Sequence, residues 1–219
     1  MFGLLLPWRE PVPIHRKIEG EVKKSYIRRM KRTLLILLFL FSAGLLHAQE
    51  TVNCVIKTTM GNIVIELYPN KAPLTVANFL RYVDAHLYDS TSIFRAVTLQ
   101  NQPNNAIKIE VIQGGDVDSN KVFPSIPLET TATTGILHKD GIISMARAKP
   151  NSANCNFFIC INNQPALDFG GMRNPDGQGF AAFGKVIVGM DLVKKIQHLH
   201  PEQGQYFNPV VMIISIRRL

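Results

Sequence analysis

The sequence predicts a mainly β protein, in which eight antiparallel strands form a closed barrel capped by two α-helices. Eight short runs rich in β-branched and aromatic residues occur between residues 52 and 216, separated by turns that contain Gly, Asn or Pro. Only two segments have apolar residues at the three- and four-residue spacing of a helical face. Many strands with so few helices are typical of a closed antiparallel barrel.

The strands are predicted where such runs are bounded by turn residues. In order they are Val52–Lys57, Ile63–Leu67, Ser92–Val97, Ile107–Gln113, Gly141–Ala146, Asn156–Ile161, Phe180–Val188 and Val210–Ile216. The first helix begins at Pro73, because proline suits the first turn of a helix. Its apolar face consists of Val76, Phe79, Leu80, Val83 and Leu87. The second helix is predicted over Met190–Gln197, where an acidic residue comes early and lysines come late, as the helix dipole favours.

Residues 1–48 are predicted to be a leader, and residues 49–219 a single domain. A basic Met-Lys-Arg at 30–32 precedes an apolar run at 33–46, and the small residue Ala48 follows at a plausible cleavage point. This order is typical of a secretory signal peptide. The apolar run is also shorter than the ~20 residues that a membrane-spanning helix needs.

The mature chain is therefore expected to begin at Gln49 and to lie in the periplasm or elsewhere outside the cytoplasm. After cleavage it would have no membrane attachment. An uncleaved leader that anchors the protein in the membrane is the alternative that stays open. The basic region before Met30 is unusually long, which favours translation from Met30; a genuine cytoplasmic tail is the alternative.

The basic charge of the chain is concentrated in the leader. The whole chain has a net charge of +8, but nine of its Lys/Arg residues and three of its Asp/Glu residues lie within residues 1–33. The remaining residues carry 15 basic and 13 acidic side chains, a net charge of +2. A nucleic-acid-binding protein needs its basic residues on the folded domain, so the sequence predicts no nucleic-acid partner.

The sequence lacks the usual motifs of nucleophilic, metal and nucleotide chemistry. It contains no G-x-S-x-G, H-E-x-x-H or Walker motif, and its six histidines are scattered. The glycine-rich segment 169–179 precedes a strand and lacks the ending of a phosphate-binding loop, so it is predicted to be a long turn. Cys54, Cys155 and Cys160 have no metal-ligand spacing and are predicted to be free and buried. We therefore predict neither a metal nor a cofactor.

A more specific signal comes from five segments that occur in a fixed order. They are YDSTSIFR at 88–95, IQGGD at 112–116, GIISMARAKPNS at 141–152, NFFIC at 156–160 and FGKVIVGM at 183–190. In these segments the chain resembles the cyclophilin-type peptidyl-prolyl cis–trans isomerases, and the resemblance covers essentially the whole mature part. The leader and the long turn are similar to those of bacterial exported members.

The resemblance implies a cyclophilin-like barrel and an enzyme that accelerates rotation about X–Pro bonds. Its partners would be proline-containing polypeptides, unfolded or partly folded after export, and it would act as a monomer. The alternative is a cyclophilin-like peptide-binding module or holdase chaperone with little isomerase activity.

The resemblance also assigns the site residues. It places Arg95 at the family's catalytic arginine and Gln113 at its active-site glutamine. Substrate binding is assigned to Val111, Ala146, Arg147, Ala148, Asn156, Phe158, Leu167 and Phe180. Within this set, the backbone of 146–148 would bind the substrate chain, and Asn156 would take the place of a second glutamine. Phe158 would form the floor of the proline pocket.

The chemistry of the reaction explains why these residue types suffice. The twisted X–Pro amide loses its resonance, which sets a barrier of ~18–20 kcal/mol, and no covalent bond is broken. A catalyst must therefore bind the twisted amide better than either planar isomer. A fixed guanidinium such as that of Arg95 stays charged and can donate a hydrogen bond to the prolyl nitrogen.

Three features depart from the family's pattern. Thr98–Lys108 is predicted to be an inserted polar loop, because Arg95 and Gln113 are farther apart in sequence than is usual. Ala166 stands where the family has an aromatic residue before the pocket leucine, and Phe180 replaces a frequent histidine. These differences concern substrate preference and leave the arginine chemistry unchanged.

Overall fold

The computed structural model describes residues 26–32, 51–199 and 204–219. The chain divides into two compact units, Met1–Ala48 and Gln49–Leu219. In the first unit, residues 26–32 form an exposed helical segment, and the predicted signal segment lies outside the described residues. No helix in the described part of the chain is both long and apolar enough to cross a bilayer.

The second unit forms the closed antiparallel β-barrel that the sequence predicts. Its strands are β1 (Val52–Thr58), β2 (Gly61–Leu67), β3 (Thr91–Val97), β4 (Val111–Gly114), β5 (Ile142–Met145), β6 (Phe157–Cys160), β7 (Ala181–Val188) and β8 (Tyr206–Arg218). Around the barrel the order is β1-β2-β7-β5-β6-β4-β3-β8, and β8 pairs with β1 to close it.

Two longer helices accompany the barrel, as predicted. Helix α1 spans Pro73–Asp84, so Leu87 follows the helix and packs against the core from the next turn. A single-turn helix α2 at Thr131–Thr134 was not predicted. Helix α3 spans Met190–Gln197, the predicted range.

The main core fills the barrel and includes residues from all eight strands. At its centre Phe79 of α1 contacts Tyr88 and Phe183, with ring centroids 5.2 Å away in each case. Phe157 packs edge-on against Phe79 at 5.7 Å. Burial of these large rings is a main source of stability, at roughly 25 cal/mol per Å² of apolar surface.

A second, separate apolar cluster lies on the outer face of β3, β4 and β6. Successive side chains of a strand point to opposite faces, so Phe157 enters the main core whereas Phe158 belongs to the outer cluster. The same alternation places Val111 outside and Ile112 inside. The outer cluster consists of Val97, Ile109, Val111, Phe158, Cys160, Leu167 and Phe180.

Strand β4 is shorter than predicted and begins at Val111 instead of Ile107. The side chain of Gln102 replaces strand pairing here: its amide nitrogen donates to the Ile109 carbonyl at 2.7 Å, and its oxygen accepts from the Ile109 N–H at 3.3 Å. The Ile107 carbonyl accepts a hydrogen bond from Arg173. The backbone groups before β4 are thus satisfied by side chains, which the apolar pattern of the sequence does not reveal.

Candidate active site

Three predicted site residues form one row across neighbouring strands. Arg95 of β3 lies opposite Gln113 of β4, and Gln113 lies opposite Phe158 of β6. Residues directly opposite each other in a sheet point to the same face, here the outer face of the barrel. The strand register therefore brings together residues that the sequence separates by up to 63 positions.

The Arg95 guanidinium is held by two glutamines. Its Nη1 donates to Gln113 Oε1 at 2.9 Å, while Nε and Nη2 donate to Gln205 Oε1 at 2.9 and 2.5 Å. Arg95 is half-buried, and burial lowers its pKa below the ordinary value. Arginine nevertheless stays protonated in proteins, so this site presents a fixed, partly desolvated cation.

Gln205 was not predicted as a site residue. It immediately precedes β8, and its Nε2 donates to the Asn101 carbonyl in the inserted loop at 3.0 Å. Its own backbone carbonyl accepts from the Ala96 N–H at 2.9 Å. No motif surrounds Gln205 in the sequence, and only the pairing of β3 with β8 places it beside Arg95.

The outer cluster encloses a cavity of about 230 Å³ beside Arg95. It is lined by Arg95, Ile109, Val111, Gln113, Ala146, Arg147, Phe158, Leu167, Arg173, Asn174 and Phe180. Phe158 and Phe180 meet edge to face, with centroids 5.3 Å apart. The volume is below the ~300–1,000 Å³ of sites for drug-sized ligands, so the cavity suits one apolar side chain or ring.

Ala148 and Asn156 do not line this cavity themselves, although both are next to residues that do. Ala148 is exposed, and its N–H donates to Ser152 Oγ at 3.1 Å. The Asn156 side chain donates to the Gly115 carbonyl at 2.7 Å, and its backbone carbonyl accepts from the Ala146 N–H at 2.9 Å. Asn156 thus braces the backbone next to the site through Gly115 and Ala146.

The Arg147 side chain fastens the long turn that leads into β7. Its Nη1 and Nη2 donate to Asp176 at 2.7 and 2.8 Å, and Nε donates to the Gly179 carbonyl at 2.7 Å. The same guanidinium lies 5.2 Å from the centroid of the Phe180 ring. Hydrogen bonds from Arg147 lower the pKa of Asp176 to about 2. The sequence assigned a role only to the backbone of Arg147, and the side chain was missed.

The glycine-rich segment is a turn, as predicted, and it packs closely on the preceding chain. Gly179 has a φ of +64°, and a Cβ there would lie 2.5 Å from the Leu167 carbonyl oxygen. Only glycine fits such a position without strain. Two residues of this turn, Arg173 and Asn174, reach the cavity, and neither was predicted as a site residue.

A Ser-His-Asp arrangement, with His138 and Ser144 buried and Asp168 partly exposed, lies behind Phe158. The His138 ring stacks on the Phe158 ring with their centroids 6.0 Å apart. His138 Nδ1 lies 2.7 Å from Asp168 Oδ1. Its Nε2 lies 3.0 Å from Ser144 Oγ. Ser144 is completely buried, so it cannot meet a substrate as a nucleophile. These polar residues satisfy one another and support the aromatic floor.

Comparison with known proteins identifies the family. A family described as "Cyclophilin type peptidyl-prolyl cis-trans isomerase/CLD" matches residues 53–218. The chain belongs to the cyclophilin family. Among curated cyclophilins, a peptidyl-prolyl cis-trans isomerase of Acinetobacter baylyi is 35% identical over 176 residues, covering 78% of this chain and 84% of the relative.

Further relatives agree with this family. The peptidyl-prolyl cis-trans isomerase B of Escherichia coli is 34% identical over 143 residues, covering 64% of this chain and 80% of the relative. A crystal structure of a Cryptosporidium parvum cyclophilin covers 78% of this chain and 98% of its own, with a TM-score of 0.63 and 21% identity. This cyclophilin is therefore a peptidyl-prolyl cis–trans isomerase with the family's barrel fold.

Proposed function

We propose that this cyclophilin accelerates X–Pro rotation in exported polypeptides, with Arg95 as its catalytic side chain and the 230 Å³ cavity as its proline pocket. The observation that carries the proposal is the position of the Arg95 guanidinium. Gln113 and Gln205 fix it at the edge of a cavity whose apolar lining includes Val111, Phe158, Leu167 and Phe180.

In the proposed mechanism the pocket holds the pyrrolidine ring while the preceding peptide group rotates. Phe158 forms the floor, and Val111, Leu167 and Phe180 form apolar walls, all of them at most 9% exposed. As the amide twists, a lone pair localises on the prolyl nitrogen, and Arg95 donates a hydrogen bond to it. Because that hydrogen bond exists only in the twisted state, it lowers the barrier to rotation without strengthening the binding of the planar substrate.

Gln113 orients Arg95 in this mechanism. Its Oε1 accepts from the guanidinium, which leaves the Gln113 amide nitrogen as a donor for a substrate carbonyl. The exposed backbone at Ala148 and the half-buried Ala146 are the proposed contacts for the rest of the substrate chain. A neighbour in fold was solved in the presence of the dipeptide Ala-Pro, and we extend proline-peptide binding to this chain.

The proposed location rests on the leader. A basic segment, an apolar run at 33–46 and Ala48 together favour cleavage before Gln49 and release of a monomer into the periplasm. There the enzyme would act on newly exported chains, in which X–Pro isomerisation takes tens to hundreds of seconds unaided.

Expression of the full chain in a Gram-negative host tests the location. We expect the protein in the osmotic-shock fraction, with Gln49 as its N-terminus by mass spectrometry. An intact apolar segment in the membrane fraction would support the anchored alternative.

A refolding assay tests the proposed role. An exported protein whose slow refolding phase is limited by an X–Pro bond should refold faster with catalytic amounts of this cyclophilin. An Arg95→Ala variant should give little acceleration. If neither protein accelerates refolding, the holdase alternative is favoured, whereas equal acceleration by both would show that Arg95 is not the catalytic side chain.

A further inference from the structure

One part of the cavity lining carries more positive charge than the proline reaction needs. Arg95, Arg147 and Arg173 all line the cavity. Arg147 is paired with Asp176, whereas Arg95 and Arg173 have no carboxylate within 4 Å among the residues that the structure describes.

Arg173 is held in place without being neutralised. Its Nη1 donates to the Ile107 carbonyl at 2.6 Å, which ties the long turn to the end of the inserted loop. Burial, and then the positive charge of Arg95, lower the pKa of Arg173. Two partly buried cations near each other destabilise the empty site, and an anion bound between them would relieve their repulsion.

Asn174 supplies an independent observation. It lines the same cavity, and its amide nitrogen Nδ2 is buried without a hydrogen-bond partner. Buried donors are normally paired, because an unpaired one loses its hydration without compensation. A small rotation of the Asn174 side chain toward the cavity would let a ligand oxygen beside Arg173 accept from this donor.

We propose that Arg173 and Asn174 form a carboxylate-binding subsite next to the proline pocket. A carboxylate accepts from a guanidinium and from an amide N–H at once, which matches the donors that these two residues present. The subsite would select substrates with a carboxylate on or next to proline, either an Asp/Glu side chain or the terminal carboxylate of a chain that ends in proline. This inference rests on the proposed placement of proline in the cavity.

Three matched peptide pairs test the subsite and separate the two sources of the carboxylate. One pair has Glu or Gln after proline, one has Glu or Gln before proline, and one ends at proline with a free or an amidated terminus. Exchange NMR gives kcat/KM, and chemical-shift titration gives Kd even where turnover is absent. In at least one pair, we expect kcat/KM or affinity to be about tenfold higher for the peptide with the carboxylate. This is the effect that one charge-assisted hydrogen bond has at a partly exposed site.

Substitutions then assign that preference to Arg173. In Arg173→Gln the two peptides of a pair should differ by less than twofold. Arg173→Lys should keep part of the preference for the carboxylate peptide, because a cation remains. Lys57→Gln, which removes an exposed cation on β1, should leave the preference unchanged. Equal kcat/KM and Kd within all three pairs, or a full preference in Arg173→Gln, would overturn the subsite. Turnover of the uncharged peptides reports on the proposed proline pocket separately.

Discussion

Arg95 donates two hydrogen bonds to a single oxygen of Gln205, a residue 110 positions away in the sequence. The two donors, Nε and Nη2, lie on one edge of the guanidinium, so one acceptor fixes the plane of the whole group. Gln113 then binds the remaining Nη1. The orientation of the proposed catalytic cation therefore depends on a residue outside the segments that identify the family.

Gln205→Leu should lower kcat/KM by about tenfold, since a hydrogen bond to a charged group contributes about 1.5–3 kcal/mol. Gln205→Glu keeps an acceptor oxygen for Arg95 and should retain more of the activity. Gln100→Ala, at an exposed position of the inserted loop that Gln205 contacts, is the matched control. Equal losses in Gln205→Leu and Gln205→Glu would show that Gln205 supports the loop and does not orient Arg95.

Arg95→Ala should lower kcat/KM by roughly 10²–10³, the effect of removing one preorganised donor to developing charge. Arg95→Lys should also have strongly reduced activity, because a single ammonium group cannot bind both glutamines in the way that the planar guanidinium does. A peptide assay together with urea unfolding separates catalysis from stability. The arginine mechanism fails if a folded Arg95→Ala variant stays within threefold of wild-type activity.

Asp176→Asn should raise KM several-fold with a smaller change in kcat, because it weakens the ion pair that holds the turn and the Phe180 wall. Asp191→Asn, at an exposed position of α3, removes the same charge without touching the turn. Steady-state kinetics on a proline peptide measure both constants. An unchanged KM would mean that Phe180 keeps its place without the Arg147–Asp176 pair.

Activity should be flat between pH 6 and 8, because the ionisable residues that line the cavity are arginines. Burial lowers the pKa of Arg95, so any loss of its proton would occur on the alkaline side. Arg147 lowers the pKa of Asp176 to about 2, so that carboxylate stays ionised throughout. Its contribution to stability is complete above about pH 4, the ordinary range of an Asp, and is lost as the pH falls through about 2.

A pH profile of kcat/KM checks this prediction. A bell-shaped curve within pH 6–8 would contradict it and would mean that an acid or base outside the cavity lining takes part in the reaction.

The three cysteines should react slowly with thiol reagents in the native protein. Burial raises the pKa of Cys54 to about 11 and that of Cys160 well above its ordinary value, and it also raises the pKa of Cys155. The reactive form is the thiolate, which is scarce at pH 8 when the pKa is raised. Ellman's reagent should label less than one thiol per chain within minutes, and all three in urea. Rapid native labelling would show that a cysteine becomes exposed.

The sequence predicted the barrel, and the family resemblance named Arg95, Gln113 and Phe158 as site residues. Strand alternation is a local property, and it puts Phe157 and Phe158 on opposite faces of β6 whatever the pairing of the strand. Family motifs then identified Arg95 and Gln113. Each of these inferences uses residues that are close in sequence or lie within a recognisable segment.

The remaining features depend on side chains that meet across the fold. The Gln102 side chain takes up the backbone groups of Ile109, so strand pairing does not continue before β4. Gln205, just before β8, accepts hydrogen bonds from Arg95. The turn after Leu167 brings Arg173 to the cavity, although its composition only indicated a turn. Such contacts follow from strand register and loop path, which a single sequence does not specify.

The main core and the outer cluster share no residue, although they are built on the same strands. A substitution at Phe180 or in the turn of Arg173 therefore leaves the filling of the barrel intact, and each change in the pocket can be tolerated by an unaltered scaffold. Changes in the pocket lining could therefore alter substrate preference without changing the residues that fill the barrel. The same separation makes the long turn and the inserted loop suitable targets for redesigning which proline sequences are isomerised.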